Sequence, residues 1–280
     1  MLANNEKWYL WKDINRSPMF NMAIDESLLP EIAAMEMPLL RIYGWDRPAV
    51  SIGYVQKYSA APQEGYTVVR RPTGGGVVFH DVDLTYTIVV PFGHRIKKEN
   101  RLESYHIFHR IIIKALASLN IASSLVKLAT ESANRSTMHC FTSPSRYDVV
   151  LNDSIGKGQI KVAGAAQRRT KYGILHQGSI ALNMLEPSCT LRAHAKIPCL
   201  GKVQGREQQS IVPKARSETR ITDDIASKRK RFTKSLLSAF TQELNINFID
   251  FQPSPNFLFS SKRLSEGKYA TEKWNRHRKG

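Results

Sequence analysis

The chain has 280 residues, of which 42% are hydrophobic and three are cysteine, and its formal net charge is +17. Three cysteines exclude a disulfide-stapled scaffold, and the chain shows neither a leader-like N-terminus nor an apolar run of roughly 18 residues, so we expect a cytoplasmic protein with no membrane partner. No zinc-finger spacing, RNA-recognition motif or basic zipper accompanies the positive charge, so we do not expect a nucleic-acid partner.

The first predicted elements are one helix and a series of short strands. Ser17-Pro18 is a typical helix start, and the apolar residues that follow at helical spacing predict a helix that ends before Pro38. Short runs rich in Val, Ile, Thr and Tyr then alternate with turn residues, which predicts strands. These strands cover residues 39–45, 49–54, 67–71, 77–80 and 84–90.

The second half of the chain is also predicted to contain both helices and strands. We predict helices over 105–119 and 232–243, and strands over 147–151, 159–163 and 174–182. The polar stretch 201–230 predicts surface loop or weak helix. Because strands and helices do not alternate regularly, the fold class is α+β, with mixed sheets flanked by helices. We assign 1–185 to the domain core and 186–280 to a basic loop and C-terminal helices packed on the same domain.

The excess positive charge is concentrated late in the chain. Residues 192–234 carry a net charge of +8 and residues 262–280 carry +5, whereas residues 1–100 are neutral. A basic surface raises the encounter rate with any acidic partner. A solvated lysine-rich periphery explains the same composition without a partner.

A glycine-rich segment is the most informative motif. Gly74-Gly75-Gly76 follows a predicted strand, is preceded by Arg70-Arg71 and is followed shortly by His80-Asp81. Successive glycines let the backbone approach a ligand closely, although a sharp turn uses them too. The spacing matches neither a P-loop nor a dinucleotide-binding fingerprint.

With its flanking residues, this segment resembles the lipoate/biotin protein ligase and octanoyltransferase superfamily. The resemblance covers most of the chain and thins between about 185 and 232. It extends over residues 20–26, 40–45, 51–56, 84–87, 161–167 and 268–275. It implies the superfamily's catalytic-domain fold, with residues 1–185 as the core of that domain, and a narrow acyl pocket.

The resemblance also implies the site residues. Lys161, in the segment Lys-Val-Ala-Gly-Ala-Ala-Gln, is expected to stabilise the negative charge of a tetrahedral transition state, and it is a candidate for removing a proton from the incoming amine. The alternative interpretation is that Lys161 is a surface lysine on an exposed strand. The expected substrate-binding residues are Arg70, Arg71, Gly74, Gly75, Gly76, His80, Gly164, Ala165, Gln177 and Gly178.

Cys140 is the predicted nucleophile. It opens the run Cys-Phe-Thr-Ser-Pro-Ser-Arg-Tyr-Asp, which resembles the cysteine-dependent octanoyl-[acyl carrier protein]:protein octanoyltransferase branch. A thiolate exchanges one thioester for another at little thermodynamic cost, so no ATP is required. Without this motif a lone cysteine is more often a small buried hydrophobe.

The branch implies a reaction and its partners. An octanoyl or lipoyl group passes from octanoyl-acyl carrier protein through a cysteine thioester to a lysine of a glycine cleavage H protein or a dehydrogenase E2 lipoyl domain. No cofactor and no metal are expected. The alternatives are an ATP-dependent lipoate ligase, which needs ATP and Mg²⁺, an amidotransferase between carrier proteins, and a non-catalytic basic binding protein.

Two further features qualify these predictions. Pro198-Cys199-Leu200-Gly201 faintly resembles the nucleophile loop of a second octanoyltransferase branch, and Cys189, His194 and Cys199 do not form a recognised zinc framework. Relatives of this type read histidine directly before glycine, whereas here His176-Gln177-Gly178 has the two exchanged. A one-residue shift moves a strand side chain to the opposite face, so either Gln177 occupies the acyl-site position or the backbone compensates for the exchange.

Overall fold

The computed structural model describes residues 5–61, 64–127, 145–152, 159–185 and 218–279. The three cysteines, Cys140, Cys189 and Cys199, lie outside the described residues, as does His194. Among the described helices, none is long and apolar enough to cross a membrane.

The described residues form eleven strands and six α-helices. The strands are Glu6–Arg16 (β1), Leu39–Trp45 (β2), Ala49–Ile52 (β3), Thr67–Arg70 (β4), Val78–His80 (β5), Asp83–Pro91 (β6), Ser123–Leu125 (β7), Val149–Asn152 (β8), Gln159–Arg169 (β9), Gly173–Ala181 (β10) and Ile246–Asp250 (β11). The helices are Pro18–Met35 (α1), Arg95–Lys98 (α2), Arg101–Ala117 (α3), Glu218–Leu244 (α4), Pro255–Leu264 (α5) and Glu272–His277 (α6).

Two mixed sheets carry the fold. The larger has the order β11-β1-β2-β6-β10-β9-β8-β7, and the smaller has the order β4-β3-β5. Strand β1 runs parallel to β11 and β2, β3 runs parallel to β4, and the remaining pairs are antiparallel. Helices α3 and α4 pack on one face of the large sheet, and α1 and α5 on the other. The predicted α+β class of mixed sheets with flanking helices is confirmed.

Helix α1 begins where the sequence predicts. The Ser17 hydroxyl accepts a hydrogen bond from the backbone amide of Phe20, and Pro18 occupies the first turn, where its missing amide costs nothing. The helix ends at Met35, with Glu36 in the left-handed conformation. Its buried apolar residues pack on the large sheet beneath α5. They include Ile24, Leu28, Leu29 and Ile32.

Strand β10 shows how the large sheet divides its side chains between the two faces. Ile174 packs in the core under α3 and α4, whereas Leu175 packs under α1. Because successive side chains alternate, His176 faces α3 and Gln177 faces α1. The exchanged histidine and glutamine are therefore on opposite sides of the sheet.

Several parts of the secondary structure differ from the sequence prediction. Helix α4 begins at Glu218, inside the stretch predicted as loop or weak helix, and its residues Phe232, Leu236 and Phe240 pack in the core beside α3. Strands β1 and β11 were not predicted, because each is stabilised by pairing with the other across more than 230 residues. Helices α2, α5 and α6 and strand β7 were also missed. The division at residue 185 stays a prediction.

Candidate active site

A cavity opens between the large sheet, α1 and the small sheet. It encloses about 380 Å³, part of it open to solvent, and its walls are mostly apolar. Its lining residues are Met22, Tyr43, Trp45, Ser51, Arg71, Val78, His80, Thr85, Gly164, Ala165, Ala166, Gln177, Gly178 and Ser179. Six of the ten predicted substrate-binding residues are among them, namely Arg71, His80, Gly164, Ala165, Gln177 and Gly178.

Lys161 is buried in an ion pair beside this cavity. Its Nζ lies 2.6 Å from Oδ2 of Asp148, and the two side chains are 3% and 1% exposed. Lys161 lies on β9, and a bulge where β8 pairs with β9 separates the partners of Val149 and Val150. The surface lysine considered above is therefore not what the structure shows.

Gly164 provides the space that Lys161 occupies. A Cβ atom at Gly164 would lie 2.5 Å from Cε and 2.6 Å from Nζ of Lys161, and 3.3 Å from Oδ1 of Asp148. Only glycine leaves room for the ammonium there. Since Gly164 itself lines the cavity, Lys161 lies directly behind the cavity wall.

Asp148 is fixed by contacts from the loop before β8 and from helix α3. The Ser145 backbone amide donates to its Oδ2 at 2.6 Å, and the hydroxyl of Tyr105 lies 2.9 Å from its Oδ1. The same hydroxyl accepts a hydrogen bond from the amide of Ala165. These contacts hold the carboxylate that orients Lys161.

His109 on α3 supports the same loop. Its Nδ1–H donates to the backbone carbonyl of Tyr147 at 2.6 Å, and its Nε2 is buried with no partner among the described residues. Tyr147 has a φ of 69°, in the left-handed region. Burial lowers the pKa of His109 to about 4, so the ring is neutral near pH 7. This neutral ring therefore fixes the strained residue next to Asp148.

The glycine-rich segment is held by Arg71. Its guanidinium donates to the backbone carbonyls of Gly74 and Gly76 and to both oxygens of Ser51. Gly75 has a φ of +86°, and its carbonyl oxygen leaves no room for a Cβ at Gly53. Gly74, Gly75 and Gly76 do not line the cavity. They form the turn that places Arg71 in its wall.

Arg70 points away from the cavity. Its guanidinium donates to the carbonyl of Asn275 in α6 and to the carbonyls of Gly53, Tyr54 and Gln56. Burial and the nearby Arg278 charge lower its pKa to about 10. Arg70 thus joins the C-terminal helix to the loop after β3, and it does not line the cavity.

Gln177 occupies the cavity wall. Its Nε2 donates to Oδ2 of Asp25 in α1 at 2.7 Å, and its Oε1 accepts from the Thr73 hydroxyl at 2.7 Å. His176 lies on the other face, near Tyr86 and Phe108. Burial and the neighbouring His109 hold the pKa of His176 well below its usual range. Gln177 therefore ties helix α1 to the glycine-rich segment.

Gly178 allows the sheet to pack closely in the cavity wall. A Cβ at this position would lie 2.2 Å from the ring of Tyr86. Burial, together with the charge of Asp148, raises the pKa of that phenol. The glycine that follows Gln177 is thus required by packing against β6.

Sequence reasoning did not assign a role to Asp148, Tyr105, Ser51 or Asp83. Asp148 and Ser51 stand inside the segments that carry the resemblance, and that was the available signal. Tyr105 and Asp83 carry no local pattern. In the described part of the chain, no group of three or more His, Cys, Asp or Glu side chains is placed to hold a metal ion.

Comparisons with known proteins agree on one family. Residues 17–241 match the model of the lipoyl protein ligase A/B catalytic domain. The chain is 32% identical over 283 residues to the octanoyltransferase LipM of Anoxybacillus flavithermus and 33% identical over 287 residues to that of Bacillus subtilis. Both alignments cover 96% of this chain and 98% of the relative.

A solved structure shares the fold. It is described as an archaeal lipoylation system from Thermoplasma acidophilum, a bipartite lipoate protein ligase and its E2 lipoyl domain. The TM-score is 0.64 at 20% identity, and the superposition covers 96% of each chain. At this identity the likeness shows the fold alone.

Proposed function

Because the chain belongs to the lipoyl protein ligase A/B catalytic-domain family, we propose that it transfers an octanoyl group, and secondarily a lipoyl group, to a lysine of a lipoyl-carrier protein. The superfamily and octanoyltransferase branch predicted from the sequence are confirmed. The donor is octanoyl-acyl carrier protein, and the acceptor is a glycine cleavage H protein or a dehydrogenase E2 lipoyl domain.

The observation that carries this proposal is the buried ammonium of Lys161 at the wall of an apolar cavity. An acyl chain fills the apolar space, and its thioester carbonyl lies near Gly164. The positive charge of Lys161 then stabilises the oxyanion that forms when the carbonyl is attacked. Asp148 fixes the direction of the ammonium, with its Oδ2 2.6 Å from Nζ of Lys161.

The nucleophile in the proposal is Cys140, and the support comes from sequence. Cys140 itself is outside the described residues, but Asp148, the last residue of the same motif, contacts Lys161. The motif that begins at Cys140 therefore ends at a residue of the site. In the first step the thiolate attacks the donor thioester, and in the second the acceptor lysine attacks the acyl-enzyme to leave an amide. No ATP takes part in either step.

Intact-mass analysis after mixing the protein with octanoyl-acyl carrier protein tests this function. We expect an octanoyl adduct on the wild-type protein without ATP, and none on Cys140→Ser. The matched controls are Cys189→Ser and Cys199→Ser, which we expect to retain the adduct. An adduct lost only in Cys199→Ser would instead place the nucleophile at that residue.

The same preparation separates the alternatives. Formation of octanoyl-AMP from free octanoate, ATP and Mg²⁺ would contradict the transferase and favour a ligase. Transfer from one octanoylated carrier domain to another, with no reaction from acyl carrier protein, would favour the amidotransferase. Absence of any turnover would favour a binding protein.

A further inference from the structure

Three side chains in the cavity wall and behind it form a hydrogen-bonded chain. Oγ of Ser51 lies 2.8 Å from Nε2 of His80, and Nδ1 of His80 lies 2.9 Å from Oδ2 of Asp83. All three side chains are buried. Ser51 and His80 line the cavity, whereas Asp83 does not.

The neighbours of this chain fix the direction of its hydrogen bonds. Asp83 Oδ2 also accepts hydrogen bonds from the hydroxyls of Thr85 and Ser179, each at 2.7 Å. Burial disfavours its charge, but His80 and these hydroxyls outweigh that effect and lower the pKa of Asp83. A carboxylate only accepts, so His80 carries a proton on Nδ1, and in the neutral form of the ring Nε2 accepts from the hydroxyl of Ser51. This is the arrangement by which a serine and a histidine pass a proton in acyl transfer.

The Ser51 end of this hydrogen-bonded chain, and the His80 ring, are also held in place. Arg71 Nη1 donates to Ser51 Oγ at 3.0 Å, so the hydroxyl has a donor on one side and a base on the other. Trp45 stacks on the His80 ring at 4.0 Å between centroids. From α4, Arg229 donates to the backbone carbonyl of Asp83. The ring and the hydroxyl are therefore restrained from several sides.

The reaction needs a base at this cavity. Among the described residues that line it, the titratable side chains are Tyr43, Arg71 and His80. The Tyr43 hydroxyl donates to Asp25, and burial raises its pKa well above the usual value. Arg71 is a donor to backbone carbonyls. Lys161 lies behind the wall in its ion pair with Asp148, so His80 is the lining residue whose ring nitrogen can reach a substrate proton, through Ser51.

We propose that Ser51 and His80, oriented by Asp83, relay the proton released when the acceptor lysine attacks the acyl thioester. The amine nitrogen forms the C–N bond with its lone pair and passes its excess proton to Ser51 Oγ as Ser51 gives its own to His80 Nε2. The C–S bond then breaks with its electron pair on sulfur, and His80 returns the proton through Ser51 to the thiolate. Thioester and amine become amide and thiol.

This relay rests on the proposed function, and it assigns oxyanion stabilisation and proton transfer to different residues. Lys161, paired with the Asp148 carboxylate, stabilises the oxyanion, and His80 accepts the proton. The relay acts on the second half-reaction, because the amine is the group that loses a proton there. The first half-reaction does not require it.

Single-turnover kinetics tests the relay. Each variant is mixed with octanoyl-acyl carrier protein, adduct formation is followed by intact mass, and a lipoyl domain is then added and amide formation is timed. We expect His80→Asn to slow the amide step about 10²- to 10⁴-fold and Ser51→Ala at least about tenfold, with adduct formation within about threefold of wild type. His277→Asn, an exposed histidine in α6, is the matched control and keeps both rates.

Ser51→Ala removes one hydroxyl and keeps the test valid if His80→Asn does not fold.

The possible outcomes distinguish a failure of the relay from a failure of the proposed function. If the wild type transfers the acyl group and the amide step is unchanged in Ser51→Ala or in folded His80→Asn, the relay is overturned. The proposed function then still stands. An equal loss in both half-reactions also overturns it, because a structural role would act that way. A wild-type protein that forms no adduct and transfers nothing overturns the proposed function, and the relay with it.

Discussion

The ammonium of Lys161 lies 2.6 Å from the carboxylate of Asp148, and both groups are almost completely removed from solvent. A single such charge is costly to bury, and in this pair each group compensates the other. The pair is also held by Ser145 and Tyr105, which satisfy the carboxylate oxygens. A cation fixed behind a cavity wall is suited to stabilise charge that develops inside the cavity.

Removing one member of this pair should cost both stability and activity. In Lys161→Met the Asp148 carboxylate is left buried without its partner, and we expect a loss of about 3–5 kcal/mol in the free energy of unfolding. Octanoyl transfer should fall by at least about 10²-fold, because the oxyanion loses its cation. Urea titration and adduct formation by intact mass measure the two effects.

The double variant Lys161→Met/Asp148→Asn is the control. It removes both charges, so we expect it to recover a large part of the stability and none of the activity. Recovery of transfer in the double variant would contradict the role of Lys161 as the stabilising cation.

Gly164→Ala tests the space behind the cavity wall. The added Cβ would lie 2.5 Å from Cε of Lys161, so the lysine must move out of its position. We expect the rate of octanoyl transfer to fall at least about tenfold. The matched control is Gly267→Ala, which meets no heavy atom within 4 Å and should transfer at the wild-type rate. Equal rates in both variants would show that Lys161 does not depend on this glycine.

Gln177→Leu tests the link between α1 and the glycine-rich segment. The change leaves Asp25 without one donor and the Thr73 hydroxyl without its acceptor, so we expect a loss of about 1–3 kcal/mol in the free energy of unfolding. The KM for octanoyl-acyl carrier protein should rise as the cavity wall loosens. Gln242→Leu removes an exposed amide on α4 and should change stability by less than about 0.5 kcal/mol.

The buried histidine His109 predicts acid sensitivity. Its folded-state pKa of about 4 lies below the usual unfolded value, so protons bind the unfolded chain first. The stability is complete above about pH 6.5 and is lost as pH falls toward 4, by about 3 kcal/mol for this group. His176, whose pKa is also lowered, acts in the same direction.

Urea titrations at pH 7 and pH 5 check this expectation. His109→Gln should show a smaller fall in the free energy of unfolding between the two pH values than the wild type. His277→Asn, which changes an exposed histidine, should fall as much as the wild type. A wild-type stability that is constant over this range would contradict a neutral buried His109.

Arg70→Ala should detach the C-terminal helix. Arg70 makes hydrogen bonds to Asn275 and to three carbonyls of the loop after β3, and its own carbonyl accepts from the indole of Trp274. We expect faster proteolysis after α5 and a shifted tryptophan emission, with lower transfer as a secondary effect. Arg263→Ala, an exposed residue of α5, is the control and should keep the protease resistance of the wild type.

Much of the fold followed from the sequence because its signals are local. The cap at Ser17 and the β-branched runs are read from neighbouring residues, and they predicted α1 and most strands within a few positions. The family followed from motifs, and so did Lys161 as a candidate. Strands β1 and β11 were missed because what stabilises each is a distant partner.

The sequence alone determined which residue types the site contains, and the tertiary structure decided what each one contacts. Arg70 and Arg71 are adjacent and chemically identical, yet one joins the C-terminal helix and the other holds the cavity wall, because side chains of neighbouring residues point in opposite directions along an extended chain. The same alternation put Gln177 rather than His176 at the cavity. The partner of Lys161 was decided by a bulged strand pair, and the contact of His80 with Ser51 by the pairing of β3 with β5, and neither is a local property of the chain.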